Sequence, residues 1–164
     1  ENVYADILYN ANDYVYITTP YLAIDSSLQN ALCLAAKRGV DVRLITPGIP
    51  DKKMVYRLTR SYYASLIRAG VKIYEYTPGF MHSKLIVADD EVATVGTVNM
   101  DYRSFYLHHE CGVWLCHNKT VRDVRSDIDK AVAVSERIQL PAWNKRPAGT
   151  KLLEACLKLF TPLM

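Results

Sequence analysis

Three short runs rich in β-branched and aromatic residues, 14–19, 41–46 and 71–76, are separated by two stretches of helical periodicity, which narrows the available folds sharply. Strand, helix and strand in that order call for right-handed crossovers and parallel pairing. Asp25, Ser26 or Ser27 is predicted to cap the first helix, which runs to Lys37 or Arg38 with Leu28, Leu32 and Ala35 inside and Gly39 as its stop. The second is predicted from Lys52 to Ala69, striped by Val55, Leu58, Tyr62 and Leu66 and ended by Gly70. Downstream, Leu85 to Ala88 and Glu91 to Val95 are strands whose short connection at Asp89-Asp90-Glu91 permits only a hairpin. The expected fold is therefore α/β, a mixed sheet sandwiched by helices. A leading helix over Val3 to Asn10, a long strand from Leu107 to Cys116 and a last core helix from Asn118 to Ile138 complete it. Val121, Val124, Ile128, Ala131 and Val132 form the inner face of that last helix.

Extending the Leu85 strand backwards with a period of two puts His82 and Lys84 on one face and Ser83 on the other. A cation and an imidazole aimed at one spot suit a phosphate: the ammonium meets non-bridging oxygens, and the imidazole attacks phosphorus or protonates an alkoxide. A strand-edge His beside a surface Lys has the same pattern without any chemistry. Asp89 has the opposite parity, which assigns it a structural role such as pairing with a cation behind the site. Beyond the second strand, Gly96 would let the backbone approach a ligand, while Thr97 and Asn99 offer a hydroxyl and an amide of like parity.

His82, one residue, Lys84, four residues, Asp89, six residues, then Gly96-Thr97-Val98-Asn99 resembles the signature of the phospholipase D superfamily, in which Ser more often stands where this chain has Thr97. Three stretches, 17–21, 76–84 and 96–104, more closely resemble the C-terminal half of a bacterial cardiolipin synthase. The likeness covers most of residues 1–140 and fades in the tail, so 1–140 is expected to be a phospholipase D-like domain and 141–164 a loop with an amphipathic helix. Such synthases carry two copies of the motif and membrane helices ahead of the first. This chain has one copy and none of those helices, and it opens on Glu1 rather than Met, so a piece of a longer protein is expected.

The resemblance implies transfer of a phosphatidyl group from one phosphatidylglycerol to another, giving cardiolipin and glycerol. In-line displacement needs a nucleophile on one side of phosphorus and a proton donor on the other, so one His from each of two motifs is required. His82 would be nucleophile or general acid; Lys84 and Asn99 would bind phosphate, Thr97 would support it, and Glu110 would orient His82. Asp89 completes the motif, and Asp101 and Arg103 would brace the loop. Fixed cations replace a metal, so neither cofactor nor Mg²⁺ dependence is expected. The expected partners are the phospholipid, a missing N-terminal half or second copy, and a membrane surface, with no nucleic acid. The longer protein would sit at the bacterial cell membrane with its catalytic part on the cytoplasmic side, the piece itself being soluble. A single-motif homodimeric endonuclease and a silent lipid-binding module are the competing readings.

Composition agrees with one ordinary domain: 164 residues, half of them apolar, with a net charge of +3 that is too mild for a grip on long nucleic acid. No run of eighteen apolar residues and no signal-peptide pattern is present. Cys33, Cys111, Cys116 and Cys156 are scattered and are expected to be reduced, in a cytosolic setting. The stretch His108-His109-Glu110-Cys111 with Cys116-His117 looks metal-like, but strand alternation splits it into pairs too small for a closed site. Lys52, Lys53, Arg57, Arg60 and Arg68, interleaved with tyrosines, read first as a solvated helix face and second as a surface for anionic lipid or phosphate. Pro141 to Pro147 reads as a loop. Lys151 to Phe160 reads as a helix with Leu152, Leu153, Cys156, Leu157, Leu159 and Phe160 on its apolar side, facing either a membrane or the protein.

Overall fold

Residues 1–159 are described by the structure, a computed structural model. After helix α1 (Asn2–Asn10), strand β1 (Tyr14–Thr18) is buried along its whole length, because its alternating side chains enter two apolar layers. Val15 and Ile17 join the larger core on one face, and Tyr14 and Tyr16 join a smaller one on the other. A short β2 (Leu22–Ala23) precedes α2 (Ser26–Lys37), which Asp25 caps by accepting from the Leu28 amide at 2.8 Å. Then follow β3 (Asp41–Pro47), α3 (Lys53–Ser61), α4 (Tyr63–Ala69) and β4 (Lys72–Tyr76). Gly39 and Gly70, with φ of +99° and +108°, turn the chain out of α2 and α4 in the left-handed conformation that a side chain would strain.

The hairpin β5 (Leu85–Ala88) and β6 (Val92–Gly96) leads to β7 (Met100–Asp101), α5 (Tyr102–Tyr106) and β8 (Gly112–Cys116). The described chain closes with α6 (Lys119–Ala133), β9 (Ser135–Arg137), α7 (Leu140–Asn144) and α8 (Ala148–Lys158). Seven strands form one sheet in the order β8-β6-β5-β1-β3-β4-β9, and β2 pairs with β7 apart from it. β1, β3 and β4 are parallel and the remaining pairs of the large sheet antiparallel, so the sheet is mixed as expected. Leu8, Leu28, Leu32 and Leu66, from α1, α2 and α4, cover one face; Val121, Val124 and Ile128 of α6 cover the other.

Four elements differ from their sequence reading. The predicted helix 52–69 breaks at Tyr62, where Tyr62 and Tyr63 are both fully buried, so the chain bends to place two adjacent rings inside. Only Gly112–Cys116 of the predicted strand 107–116 is extended, and as an edge strand it leaves Val113 and Trp114 exposed. Helix α6 stops at Ala133, and Ser135–Arg137 adds a polar edge strand to β4 in place of the helix predicted to Ile138. Residues expected to form a loop after Pro141 are instead helix α7, which buries Trp143 beside Tyr63, with the Arg146 guanidinium over its ring. On α8, Glu154 and Leu157 are buried while Leu152, Leu153 and Leu159 stay exposed, because a bidentate Arg146–Glu154 pair at 2.6 and 2.8 Å draws the acidic side inward. Phe160 lies outside the described residues. No helix among the described residues is long and apolar enough to cross a membrane.

Asp89 has the structural role expected of it, but by another contact than a cation. Among the described residues its carboxylate forms no ion pair; it accepts from three backbone amides, of Asn12 at 2.7 Å, Asp13 at 3.0 Å and Tyr14 at 2.8 Å, and so ties the hairpin to the start of β1. Asp89→Ala should therefore cost about 2–3 kcal/mol in urea unfolding, since charge-assisted bonds are lost but partial exposure lets water replace some of them. A loss under about 0.5 kcal/mol would show the brace to be dispensable.

Candidate active site

The hairpin geometry brings one end of four strands together. Thr18 of β1 pairs with Leu85, Leu85 with Val95, and Gly96 with Gly112, so residues just before β5, just after β6 and just before β8 meet at one sheet margin. His82, Lys84, Thr97, Asn99 and Glu110 all lie there. The ladder ends at Leu85, yet alternation persists: Met81 is buried, Ser83 Oγ donates to Thr18 Oγ1 at 2.9 Å, and His82 faces solvent between the rings of Phe80 and Tyr21. Lys84 Nζ folds back to donate to the backbone carbonyl of His82 at 2.7 Å, which keeps the ammonium close to this segment.

Two buried threonines lock this margin. Thr18 Oγ1 also accepts from the Leu85 amide at 3.2 Å, and Thr19 Oγ1 accepts from the Met100 amide at 3.1 Å while donating to the Tyr21 carbonyl at 2.7 Å. Thus the loop of His82 and the loop of Asn99 hang from adjacent residues of one strand end. Neither Thr18 nor Thr19 was singled out by residue chemistry; their signal was their place in the stretch 17–21. Tyr21, read only as part of that stretch, and Lys52, read only as part of a basic helix face, stand here too, and Asp51 was not singled out. Tyr21 donates its hydroxyl to Asp51, and Lys52 Nζ lies 5.3 Å from the Tyr21 ring centroid.

Gly96 serves the sheet rather than a ligand. A Cβ there would stand 2.4 Å from the Cys111 carbonyl oxygen and 2.6 Å from Gly112 Cα, so only glycine permits β6 and β8 to close. Thr97 sits just past this contact, accepting from the Cys111 amide at 3.0 Å and donating to Glu110. Asn99 Nδ2 donates to Ser104 Oγ at 3.2 Å, and Oδ1 is buried without a partner among the described residues. Since a hydroxyl both donates and accepts, the reversed amide, with Oδ1 accepting from Ser104 Oγ, suits this contact equally. Asp101 caps α5 by accepting from the Ser104 amide at 2.6 Å, and Arg103 Nε donates to His108 Nε2 at 2.8 Å, so both brace the loop.

Glu110 departs from its expected place. It lies in the turn before β8 instead of inside a strand; its partners are Thr97 and, at 3.9 Å, His108 Nδ1, and it forms no hydrogen bond with His82. Of Leu107, Val113 and Leu115, whose apolar character suggests a buried strand, the first two are 66% and 58% exposed, while Leu115 packs on the smaller core and the Glu110 side chain is 15% exposed. Its negative charge instead supports Lys84. Desolvation holds the Lys84 ammonium below its usual pKa, and Glu110 and Asp101 oppose that shift.

The His82 ring is also held below the ordinary imidazole pKa, first by its partial shielding and then by the Lys84 and Lys52 ammonium groups, with Asp51 opposing. His82 is thereby kept neutral to lower pH than a free imidazole, as attack on phosphorus or acceptance of a proton requires. Lys84→Met should raise the His82 midpoint, because removing a neighbouring positive charge favours the protonated ring. An NMR titration of the His82 ring protons in the two proteins checks this, and an unmoved midpoint would show that the cation does not act on the ring.

Among the described residues no group of His, Cys, Asp and Glu is arranged to hold a metal ion, and the four cysteines are free thiols, Cys33 half-buried and the others exposed.

A family model described as "Cardiolipin synthase, PLD-like domain" matches residues 4–132. An uncharacterized protein of Streptococcus mutans is 49% identical over all 164 residues, which span 36% of its length. A cardiolipin synthase of Halalkalibacterium halodurans is 38% identical over the same 164 residues, 33% of its length. The chain thus spans about a third of the curated relatives it matches. The crystal structure of phosphatidylserine synthase from Haemophilus influenzae superposes with a TM-score of 0.78 at 15% identity, over 99% of this chain and 44% of that one, a likeness of fold.

Proposed function

Because this chain belongs to the cardiolipin synthase family of phospholipase D-like domains, we propose that it supplies one half of the active site of a membrane-associated phosphatidyltransferase. Two phosphatidylglycerol molecules are its substrates, and cardiolipin and glycerol its products. The observation that carries this reading is the meeting of the His82-Lys84 segment and the Asn99 loop at one sheet margin, where both hang from Thr18 and Thr19.

One histidine attacks the donor phosphorus, a P–N bond forms, and the P–O bond to glycerol breaks as the second histidine gives its proton to the leaving oxygen. The acceptor hydroxyl then attacks phosphorus, its proton passes to the second histidine, and the P–N electron pair returns to the first ring. His82 is one of these two groups, and the other comes from the rest of the longer protein or from a second copy. Lys84 and Asn99 hold the non-bridging oxygens, Thr97 supports the Asn99 loop, and Glu110 positions Thr97 and balances the charge of Lys84. Asp89 acts at a distance, by holding the hairpin on β1. A chain spanning a third of its relatives' length supports a second catalytic half elsewhere.

The full-length protein that carries this chain, given vesicles of phosphatidylglycerol, should release glycerol and form cardiolipin in equal amounts, as resolved by thin-layer chromatography. Nicking of plasmid DNA without lipid turnover would overturn the reading in favour of a nuclease.

A further inference from the structure

A cavity of about 330 Å³ opens beside Asn99, lined by Tyr21, Lys52, Met54, Val55, Arg103 and His108 among others. Its size is at the lower end of ligand pockets, suited to a headgroup rather than to a whole diacyl lipid. Two cations line it, Lys52 and Arg103, and among the described residues neither stands in an ion pair. Lys52 is exposed and its ammonium stands over the Tyr21 ring, while Arg103 commits Nε to His108 Nε2 at 2.8 Å. Asp101, the one carboxylate in the lining, is already engaged as the cap of α5. Met54 and Val55 add an apolar side, Met54 being 59% exposed.

We propose that this cavity is the acceptor subsite, and that Lys52 and Arg103 hold the phosphodiester of the incoming phospholipid that does not react. The inference rests on the transferase reading above and deepens it. Lys84 and Asn99 already serve the reacting phosphate. On either side of that phosphorus the donor carries only neutral groups, a free glycerol and an acylated one, so two further cations next to Asn99 have no charge to meet in the donor. The acceptor alone brings a second anion. With its phosphodiester on Lys52 and Arg103, its terminal hydroxyl is directed towards the phosphorus bound to histidine. There the new P–O bond forms, the P–N bond breaks with its electron pair returning to the ring, and the hydroxyl proton passes to the other histidine. Such a subsite favours an anionic lipid over water or glycerol, neither of which carries a phosphate.

The test uses the full-length protein in phosphatidylglycerol vesicles with labelled glycerol present, measuring cardiolipin formation against both glycerol exchange and release of phosphatidic acid. Lys52→Met and Arg103→Gln should each lower the ratio of cardiolipin to either other product about tenfold or more, as expected for losing one charge-assisted contact to the acceptor. Lys52→Arg should restore the ratio. Because Arg103 also braces His108, the Lys52 pair keeps the test decisive if Arg103→Gln folds poorly. Ratios that stay constant in the Lys52 variants, whether total turnover falls or not, would overturn the subsite and leave the transferase reading standing. A wild-type protein that exchanges or hydrolyses without forming cardiolipin would overturn both.

Discussion

In the full-length protein that carries this chain, His82→Ala should lower phosphatidyl transfer by at least about a thousandfold while leaving the unfolding midpoint nearly unchanged. The size follows from chemistry: without a nucleophile the P–N intermediate cannot form, and without a proton donor the leaving alkoxide is expelled uncompensated. The small stability effect follows from position. His82 is exposed, its ring makes only edge and tilted contacts with Tyr21 and Phe80, and the bond from Lys84 goes to its backbone carbonyl, which alanine retains. Steady-state rates and urea melts on the same preparation separate the two effects. A variant retaining a tenth of the activity would make His82 structural.

Lys84→Met should cost about a hundred- to a thousandfold in rate, the scale for removing one fixed donor from a developing phosphoryl charge. Two further consequences distinguish this from general damage. The His82 ring should titrate higher, since the Lys84 charge is the second cause of its depressed pKa. Lys84→Arg should recover only part of the rate, because a planar guanidinium cannot reproduce both the turn back to the His82 carbonyl and a compact charge at the phosphate. A rate loss without any shift of the His82 titration would place Lys84 away from the ring.

Much of this was legible in the sequence. Gly39 and Gly70 mark helix ends, and the short link at 89–91 forces an antiparallel hairpin onto otherwise parallel strands, which places His82 and Asn99 at one margin. The spacing of His82, Lys84 and Gly96-Thr97-Val98-Asn99 picked out residues that the fold brings to one sheet margin. What failed did so for physical reasons. Alternation in 107–116 cannot reveal that only 112–116 is extended, as an edge strand that packs Leu115 on the core and leaves Val113 and Trp114 exposed, so reading a strand through 110 drew Glu110 towards His82. Ser135–Arg137 is too polar to signal a strand, and only pairing with β4 extends it. Tyr21 lies in the stretch 17–21 and Lys52 on the basic helix face, but that both approach His82, 30 residues and more away in sequence, follows from tertiary packing, which no local pattern reports.

Trapping by a denaturant quench at neutral to mildly alkaline pH, where a P–N bond to histidine persists, most directly tests whether this domain contributes one of two catalytic histidines. The full-length protein is mixed with phosphatidylglycerol labelled in the phosphatidyl group, quenched, digested and mapped. The account predicts label on a histidine in the wild-type protein. In His82→Ala it predicts either no label, if His82 is the nucleophile, or label that accumulates on a histidine elsewhere without turning over, if His82 is the proton donor. A His82→Ala protein that is labelled and turns over at the wild-type rate would contradict it.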